Sequence, residues 1–329
     1  MRASASRRAD PGLRRLLRRL GVAAVVVGGV LGAGFWFLTA PTRLSAAEVA
    51  ALGTGDAGRG ERIFWAGGCT SCHARPKAEG SAKLELAGGL ALKTAFGTFV
   101  APNISQDAHD GIGNWSLEDF ANAMLRGVSP DGRHYYPAFP YPSYTRMDPA
   151  DVADLYAYMK TLPAVTGPAP DHSLAFPFGI RRGIGLWKHR YLNSAPVIEF
   201  DRSAPDAVLR GRYLVEGPGH CGECHTPRDF AGGADKGKWL AGAVAAEGTG
   251  VIPNITSGEG GIGSWSASEI ESFLETGFTP DFDSVGGSMV AVQQNMAKLA
   301  PEDRAAIAAY LKAVPAHPNG YPPRRPSGE

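Results

Sequence analysis

Cys69-Thr70-Ser71-Cys72-His73 is the stretch from which the rest of the chain is read, and it returns as Cys221-Gly222-Glu223-Cys224-His225. The two copies use all 4 cysteines of the 329 residues. C-x-x-C-H is the pattern of covalent c-type haem attachment. Two thiols a helical turn apart add to the vinyl groups of one porphyrin, and the histidine after them becomes the proximal iron ligand. A zinc site of four thiolates, or a redox dithiol, would also explain paired cysteines. Neither explains a histidine directly after both pairs in a chain with only 8. Cys69, Cys72, Cys221 and Cys224 are therefore expected to carry two c-type haems, with His73 and His225 on the irons.

Around these motifs, the length allows one large or two ordinary domains, each able to bury a core. The 43 Gly and 25 Pro predict much loop and few long elements. The net charge of +1 hides an asymmetry. Arg2, Arg7, Arg8, Arg14, Arg15, Arg18 and Arg19 stand against Asp10 alone in residues 1–19, so residues 20–329 are mildly acidic. Haem propionates would add to that charge, which argues against nucleic acid as a partner.

The basic cluster belongs to a membrane. Gly21 to Ala40 is a run of 20 residues without a charge that contains Phe35-Trp36-Phe37 near its end. About 20 apolar residues cross a bilayer as a helix. The arginines before the run should stay in the cytoplasm, and the aromatic cluster suits the far interface. Everything after Pro41 is then periplasmic in a bacterium, anchored in the inner membrane. A cleaved signal peptide is the competing reading, with Ser45-Ala46-Ala47 as a second cleavage option, but its apolar region is usually shorter. The retained anchor is preferred, and both readings export the chain.

Asp56 can cap a helix through Trp65, with Ile63 and Phe64 inward, ending at Gly67-Gly68 before Cys69. Ser116-Leu117-Glu118-Asp119 resembles a capping box for a helix to about Arg126, closed by Gly127. Asp148-Pro149 opens another, with Val152, Leu155, Tyr156 and Met159 at helical spacing, stopped by Pro163. The marks then repeat at offsets of 150–152 residues: Pro102-Asn103-Ile104 as Pro253-Asn254-Ile255, Gly111-Ile112-Gly113 with Trp115 as Gly261-Ile262-Gly263 with Trp265, and Tyr158 as Tyr310. The expected fold is all-α: two tandem class I-like cytochrome c domains behind one transmembrane helix. Residues 1–50 would form the basic segment, anchor and linker, 51–165 the first domain, 166–200 an interdomain strap, 201–317 the second domain and 318–329 a loose tail. Trp115, Trp265 and Asn103 are candidates to line the haem pockets, though core packing explains them as well.

The sixth iron ligand decides the chemistry. Methionine closes the iron for electron transfer at raised potential, histidine lowers the potential, and an open position admits a small molecule. Met124 and Met159 fall at apolar helical positions and read as core. Met147, at the end of the loop Tyr135 to Tyr141 and just before the next helix, is the candidate for the first iron. Met289, after Gly286-Gly287-Ser288, is the candidate for the second, with Met296 the alternative. Gap-free alignment places Met147 opposite Leu299, so the two copies need not ligate from equivalent positions. His134 is the histidine alternative for the first iron, with a surface or propionate role the simpler reading.

Pro102-Asn103-Ile104-Ser105, Gly111 to Ser116, Asp131-Gly132-Arg133-His134, Tyr136 to Met147 and Gly219 to Arg228 resemble the membrane-bound multihaem cytochrome c subunits of bacterial periplasmic dehydrogenases that oxidise alcohols, gluconate or sorbitol. The likeness runs from about residue 50 to 315. It implies that the protein receives electrons from a flavin or quinoprotein dehydrogenase and passes them to ubiquinone or a terminal oxidase. It also supports Met147 and Met289 as ligands. Those subunits usually carry three haem motifs, and this chain has two.

The expected function is electron transfer from a periplasmic dehydrogenase to a downstream cytochrome, oxidase or quinone, without catalytic residues of its own. The main rival is a dihaem enzyme: a peroxidase needs a distal site that opens, and a thiosulfate-oxidising cytochrome commonly needs a cysteine beyond the 4 present. A haem-based sensor needs an open site and a signalling domain. Fold alone does not separate these.

Overall fold

The computed structural model of the chain describes residues 11–201, 203–248 and 250–322. Arg2, Arg7, Arg8 and Asp10 of the basic segment, and the tail beyond 322, lie outside the described residues. The first element, α1 (Pro11–Leu38), is a helix of 28 residues. Its stretch Arg15–Leu38 is long and apolar enough to cross a membrane and is not buried against the rest of the chain. A short helix, α2 (Ala46–Ala50), comes next in the linker, opened by a capping box between Ser45 and Glu48.

The first half is built around a crossing of two helices. Asp56 accepts from Arg59 N and starts α3 (Ala57–Ala66), which leads into the one-turn helix α4 (Cys69–His73). After it comes a hairpin, β1 (Ala91–Thr94) and β2 (Gly97–Val100), antiparallel with Leu92 opposite Phe99. The Ser116–Asp119 capping box opens α5 (Leu117–Ala121), and the helix runs on through a π-turn to Arg126 before Gly127 closes it in left-handed backbone. Then come α6 (Tyr141–Tyr144) and α7 (Pro149–Met159), the latter capped by Asp148. Helices α3 and α7 approach so closely that a Cβ on Gly60 would lie 1.9 Å from the Asp154 carbonyl oxygen. Ile63, Phe64, Phe120, Leu125, Val152, Leu155 and Met159 are buried in one core cluster there.

Between the halves, β3 (Ser173–Leu174) adds a third strand beside β2, and the chain continues into a further helix, α8 (Ile184–Tyr191). The second half repeats the first. Helix α9 (Asp206–Glu216) corresponds to α3, α10 (Gly222–His225) to α4, and strands β4 (Ala243–Val244) and β5 (Val251–Ile252) to the hairpin. Helix α11 (Ala267–Thr276), opened by a Ser266–Glu269 capping box, corresponds to α5. Helix α12 (Met289–Met296) takes the place of α6, and α13 (Pro301–Ala313) that of α7. The crossing recurs: a Cβ on Gly211 would lie 1.9 Å from the Ala306 carbonyl oxygen. Even the ion pair beside it is repeated, Arg59 Nε to Asp154 at 2.6 Å and Arg210 Nε to Asp303 at 2.8 Å. A second core cluster with Leu214, Val215, Ile270, Leu274, Ile307 and Tyr310 lies under these helices.

The all-α expectation is corrected in one respect: among the described residues a hairpin forms in the Gly-rich stretch after each haem motif, and the first gains a third strand from the strap. A glycine that tolerates positive φ lets the chain double back within two residues, as Gly97 does at φ 123°.

α8 touches both halves. Lys188 Nζ donates to the carbonyls of Arg126 (2.6 Å) and Gly127 (2.7 Å) in the first, and Trp187 Nε1 to that of Ala231 (2.9 Å) in the second. The residues around α8 also grip the end of α1. Arg182 stacks over Trp36 at 4.0 Å and donates to Thr39 Oγ1 at 2.9 Å, and His189 Nε2 donates to the Leu38 carbonyl at 2.6 Å. Thr39 is fully buried as a result.

Candidate haem site

Each C-x-x-C-H motif forms a single helical turn, which is what sets its two thiols one turn apart. In the first, left-handed Gly68 (φ 57°) at the N-cap turns the chain sharply from α3 into α4. The histidines then do the same thing in both copies. His73 Nδ1 donates to the Pro102 carbonyl at 2.9 Å, and His225 Nδ1 donates to the Pro253 carbonyl at 2.8 Å. A carbonyl can only accept, so the proton sits on Nδ1 and Nε2 keeps a free lone pair, the state an iron ligand requires. Burial also holds both imidazoles below their ordinary pKa, against the raising effect of the proline carbonyls. The donor set thus fits c-type haem.

The proline carbonyls are themselves held. Asn103 is buried, donates to the carbonyls of Val165 (2.8 Å) and Gly167 (3.0 Å), and accepts from Ser105 N (2.9 Å). Asn254 donates to the His317 carbonyl (2.8 Å) and accepts from Thr256 N (2.8 Å). The repeated Pro-Asn-Ile therefore acts through the histidines, a role that sequence reasoning missed. Its signal was the shared offset. Trp115 and Trp265 are half-buried against the two cores.

The competing readings of the cysteines do not fit this geometry. No group of three or more His, Cys, Asp or Glu side chains gathers as a metal site among the described residues. A redox dithiol needs a lowered thiol pKa. Burial instead pushes Cys69 up to about 12, Cys72 to about 11 and Cys221 to about 12, and raises Cys224 as well.

Of the residues between the paired cysteines, Thr70, Ser71 and Glu223 bond across the halves, while Gly222 packs within its own. Thr70 Oγ1 donates to Asn295 Oδ1 at 2.8 Å, and Asn295 Nδ2 donates to Ser71 Oγ at 3.0 Å, so α4 of the first half is bonded to α12 of the second. In the other motif, Glu223 accepts from Ser143 Oγ at 2.8 Å. Gly222 lies against Trp239, whose ring would come within 2.0 Å of a Cβ. His220 donates from Nε2 to the Gly67 carbonyl at 3.2 Å and packs edge-on to Tyr144 with ring centroids 5.5 Å apart. Cys72 and Cys224 stand close enough that the charge of one raises the pKa of the other. The two motifs face each other across this seam.

The methionines take different positions. Met147 is buried in the first core cluster, beside Gly217 of the second half. Met289 is half-buried at the start of α12, and Met296 is buried in the second core cluster. Met147 N donates to Tyr144 O (2.9 Å), and Leu299 N donates to Met296 O (3.1 Å), each ahead of the proline that opens the last helix. Leu299 is therefore the structural counterpart of Met147. His134 is not a surface residue: it is buried, and its Nε2 donates to the Thr39 carbonyl at 2.9 Å. That contact commits it to the end of α1.

Comparison with known proteins points to the same class of cofactor. Residues 57–163 match the family model described as Cytochrome c. A protein of Cereibacter sphaeroides described as "Diheme cytochrome c-type" is 53% identical over 296 residues, 90% of this chain and 97% of that one. The fructose dehydrogenase cytochrome subunit of Gluconobacter japonicus is 39% identical over 78% of this chain and 52% of its own length. The cytochrome c subunit of alcohol dehydrogenase (quinone) from Gluconobacter oxydans is 35% identical over 87% of this chain and 61% of its own. The chain thus spans between half and two thirds of those two dehydrogenase subunits.

Proposed function

Because the chain belongs to the cytochrome c family, we propose that it is a membrane-anchored dihaem electron carrier of two tandem cytochrome c domains, residues 51–165 and 201–317. The observation that carries this reading is the pair of C-x-x-C-H turns, each with its histidine oriented by a proline carbonyl and the two set face to face. Bound c-type haem supplies a one-electron iron couple at moderate potential. Cys69 and Cys72 hold the first haem and Cys221 and Cys224 the second, with His73 and Met147 on one iron and His225 and Met289 on the other. The seam residues keep the two attachment turns at a fixed separation, and the apolar cores exclude water from the irons. The protein's contribution is positioning and tuning, with no covalent step of its own.

Two relatives are cytochrome subunits of fructose and alcohol dehydrogenases, which supports a periplasmic dehydrogenase as electron donor. A downstream cytochrome, oxidase or quinone is the acceptor. Helix α1 is retained as the anchor in the bacterial inner membrane, with its arginines on the cytoplasmic side. The burial of Thr39 and the bonds from Arg182, His134 and His189 to the end of α1 support retention, because cleavage after Ala40 would remove their partners.

The test is the haem content and optical spectrum of the purified full-length protein. Two haems per chain are expected. So is a far-red ferric band that reports methionine sulfur on iron, lost in part in Met147→Ala and in part in Met289→Ala. One haem per chain, or a wild type that binds carbon monoxide readily, would overturn the closed electron carrier in favour of the enzyme reading.

A further inference from the structure

The strap between the halves carries an uncharged loop, Ala175-Phe176-Pro177-Phe178-Gly179-Ile180, in which every residue is exposed. Phe176 is 88% exposed and Ile180 51%. Phe178 leans on Phe96, at the turn between β1 and β2, with ring centroids 4.9 Å apart, and stays 41% exposed, while the half-buried Phe96 also lies against Gly232. On the outer side of α8, Leu186 is exposed too. Two phenylalanines and an isoleucine on six consecutive residues are more apolar surface than a solvated loop keeps without a reason.

The residues just after the loop identify its occupant. Arg181 and Arg182 come directly after Ile180. Arg182 stacks on Trp36 and donates to both the Trp36 carbonyl and Thr39, while Gly185 lies against Thr39 so tightly that a Cβ would come within 2.6 Å of its Cα. Arg181 is turned inward, over Tyr136 at 4.5 Å and onto the His134 carbonyl at 3.2 Å. The loop is thus tied within a few residues to the last turn of α1, where Phe35, Trp36 and Phe37 form an aromatic group of the kind found at the membrane boundary.

We propose that the loop 175–180 together with Leu186 is a second membrane contact, which lies in the interfacial layer of the same bilayer that α1 crosses. This rests on the reading of α1 as a retained anchor. Phenylalanine and isoleucine on a chain with adjacent arginines suit the boundary between headgroups and acyl chains. The consequence is orientation. A single helix lets the periplasmic part swing about one point, whereas a helix and a pad held together by Arg182 fix which face of the haem halves looks away from the membrane.

The experiment uses the full-length holoprotein in nanodiscs of phosphatidylcholine and phosphatidylglycerol. A photoreactive p-benzoylphenylalanine replaces Trp36, Phe176 or Phe282 in separate variants, and mass spectrometry identifies what each captures after irradiation. Phe282 is as exposed as Phe176, at 88%, but among the described residues no hydrogen bond or ring contact ties it to α1. Lipid adducts at Trp36 and Phe176, with none at Phe282, are expected. Adducts at Trp36 alone would overturn the pad and leave the anchor intact. Absence at both would overturn the anchor and the pad with it. Equal capture at Phe282 would show that exposure alone accounts for the labelling, and adducts at Phe176 to protein in place of lipid would identify a docking surface for a polypeptide.

Discussion

The seam between the haem motifs makes a prediction whose size is set by its hydrogen bonds. Thr70 and Asn295 are 6% and 2% exposed, and the bond between them, at 2.8 Å, joins residues 225 apart in sequence. Haem attachment leaves the second position of C-x-x-C-H free, so Thr70→Val removes the hydroxyl without touching the chemistry of the motif. It strands Asn295 Oδ1 in the interior, at a cost of about 1–2 kcal/mol. Asn295→Leu is close in volume and strands the Thr70 hydroxyl. It also loses the bond to Ser71, so its cost is about 2–3 kcal/mol. The double variant leaves nothing polar unpaired at that pair, since replacing both partners by apolar groups of similar shape is nearly neutral. It should therefore be less destabilised than the sum of the singles by about 1–2 kcal/mol. Guanidinium unfolding of the holoprotein, tracked by tryptophan fluorescence and by the Soret band, measures all four corners of the cycle. Additivity to within about 0.5 kcal/mol would mean that the two side chains are not in contact, and the face-to-face packing of the motifs would go with it.

Gly211→Ala drives a methyl group to 1.9 Å from the Ala306 carbonyl oxygen and 2.7 Å from Tyr310 Cβ, so α9 and α13 must part; the midpoint of unfolding should fall by an amount equivalent to about 3 kcal/mol, and a loss below about 1 kcal/mol would contradict the crossing. His134 is held neutral by burial, with Lys188 and Arg182 adding to the effect, and its Nδ1 finds no partner among the described residues. Its folded pKa lies below the ordinary 6.5, so the unfolded chain takes up the proton first, and the stability it gives at neutral pH is lost as pH falls below that value. His134→Gln keeps a donor toward Thr39 but cannot titrate, and a thermal-stability profile from about pH 7.5 to about pH 5.5 should be flatter in the variant than in the wild type.

The parts of this molecule written in local sequence were legible: Asp56, Ser116 and Asp148 each cap the helix read from them. The duplication was equally plain, because its marks keep nearly one offset. Two kinds of feature were hidden. Elements without caps gave no signal, as with α12, whose Ser288 makes no side-chain cap, and with strands of two to four residues among glycines. Contacts between distant residues gave none either. Nothing near His134 announces that the carbonyl of Thr39, 95 residues before it, will accept its hydrogen bond, and nothing near Thr70 points to Asn295. The two C-x-x-C-H motifs were legible because haem attachment demands fixed spacing. The carbonyls of Pro102 and Pro253, which orient the histidines, are main-chain atoms that any residue supplies.

The two halves agree far more closely on the proximal side than on the distal side, and that contrast bears on how the two sites differ. Both place a fully buried leucine in left-handed backbone after the motif, Leu86 at φ 51° and Leu240 at φ 61°. A non-glycine residue adopts that conformation only where its surroundings over-determine it. The carbonyls of the two leucines accept from Ile104 N and Ile255 N, two residues after the prolines that orient the histidines. A strained turn, the segment it carries and the proline carbonyl form one unit, present twice with hydrogen bonds equal to within 0.1 Å at the histidines. In the proposed dihaem carrier, proximal tuning would then be the same at both irons. On the other side Met147 is matched by Leu299, and α12 is twice the length of α6, with 8 residues against 4. On that reading, a difference in reduction potential between the two haems would come from that distal side and from the solvent exposure of each pocket. A redox titration of Leu299→Met would therefore shift one potential only, whereas a shift of both would show that the proximal units are coupled through the seam.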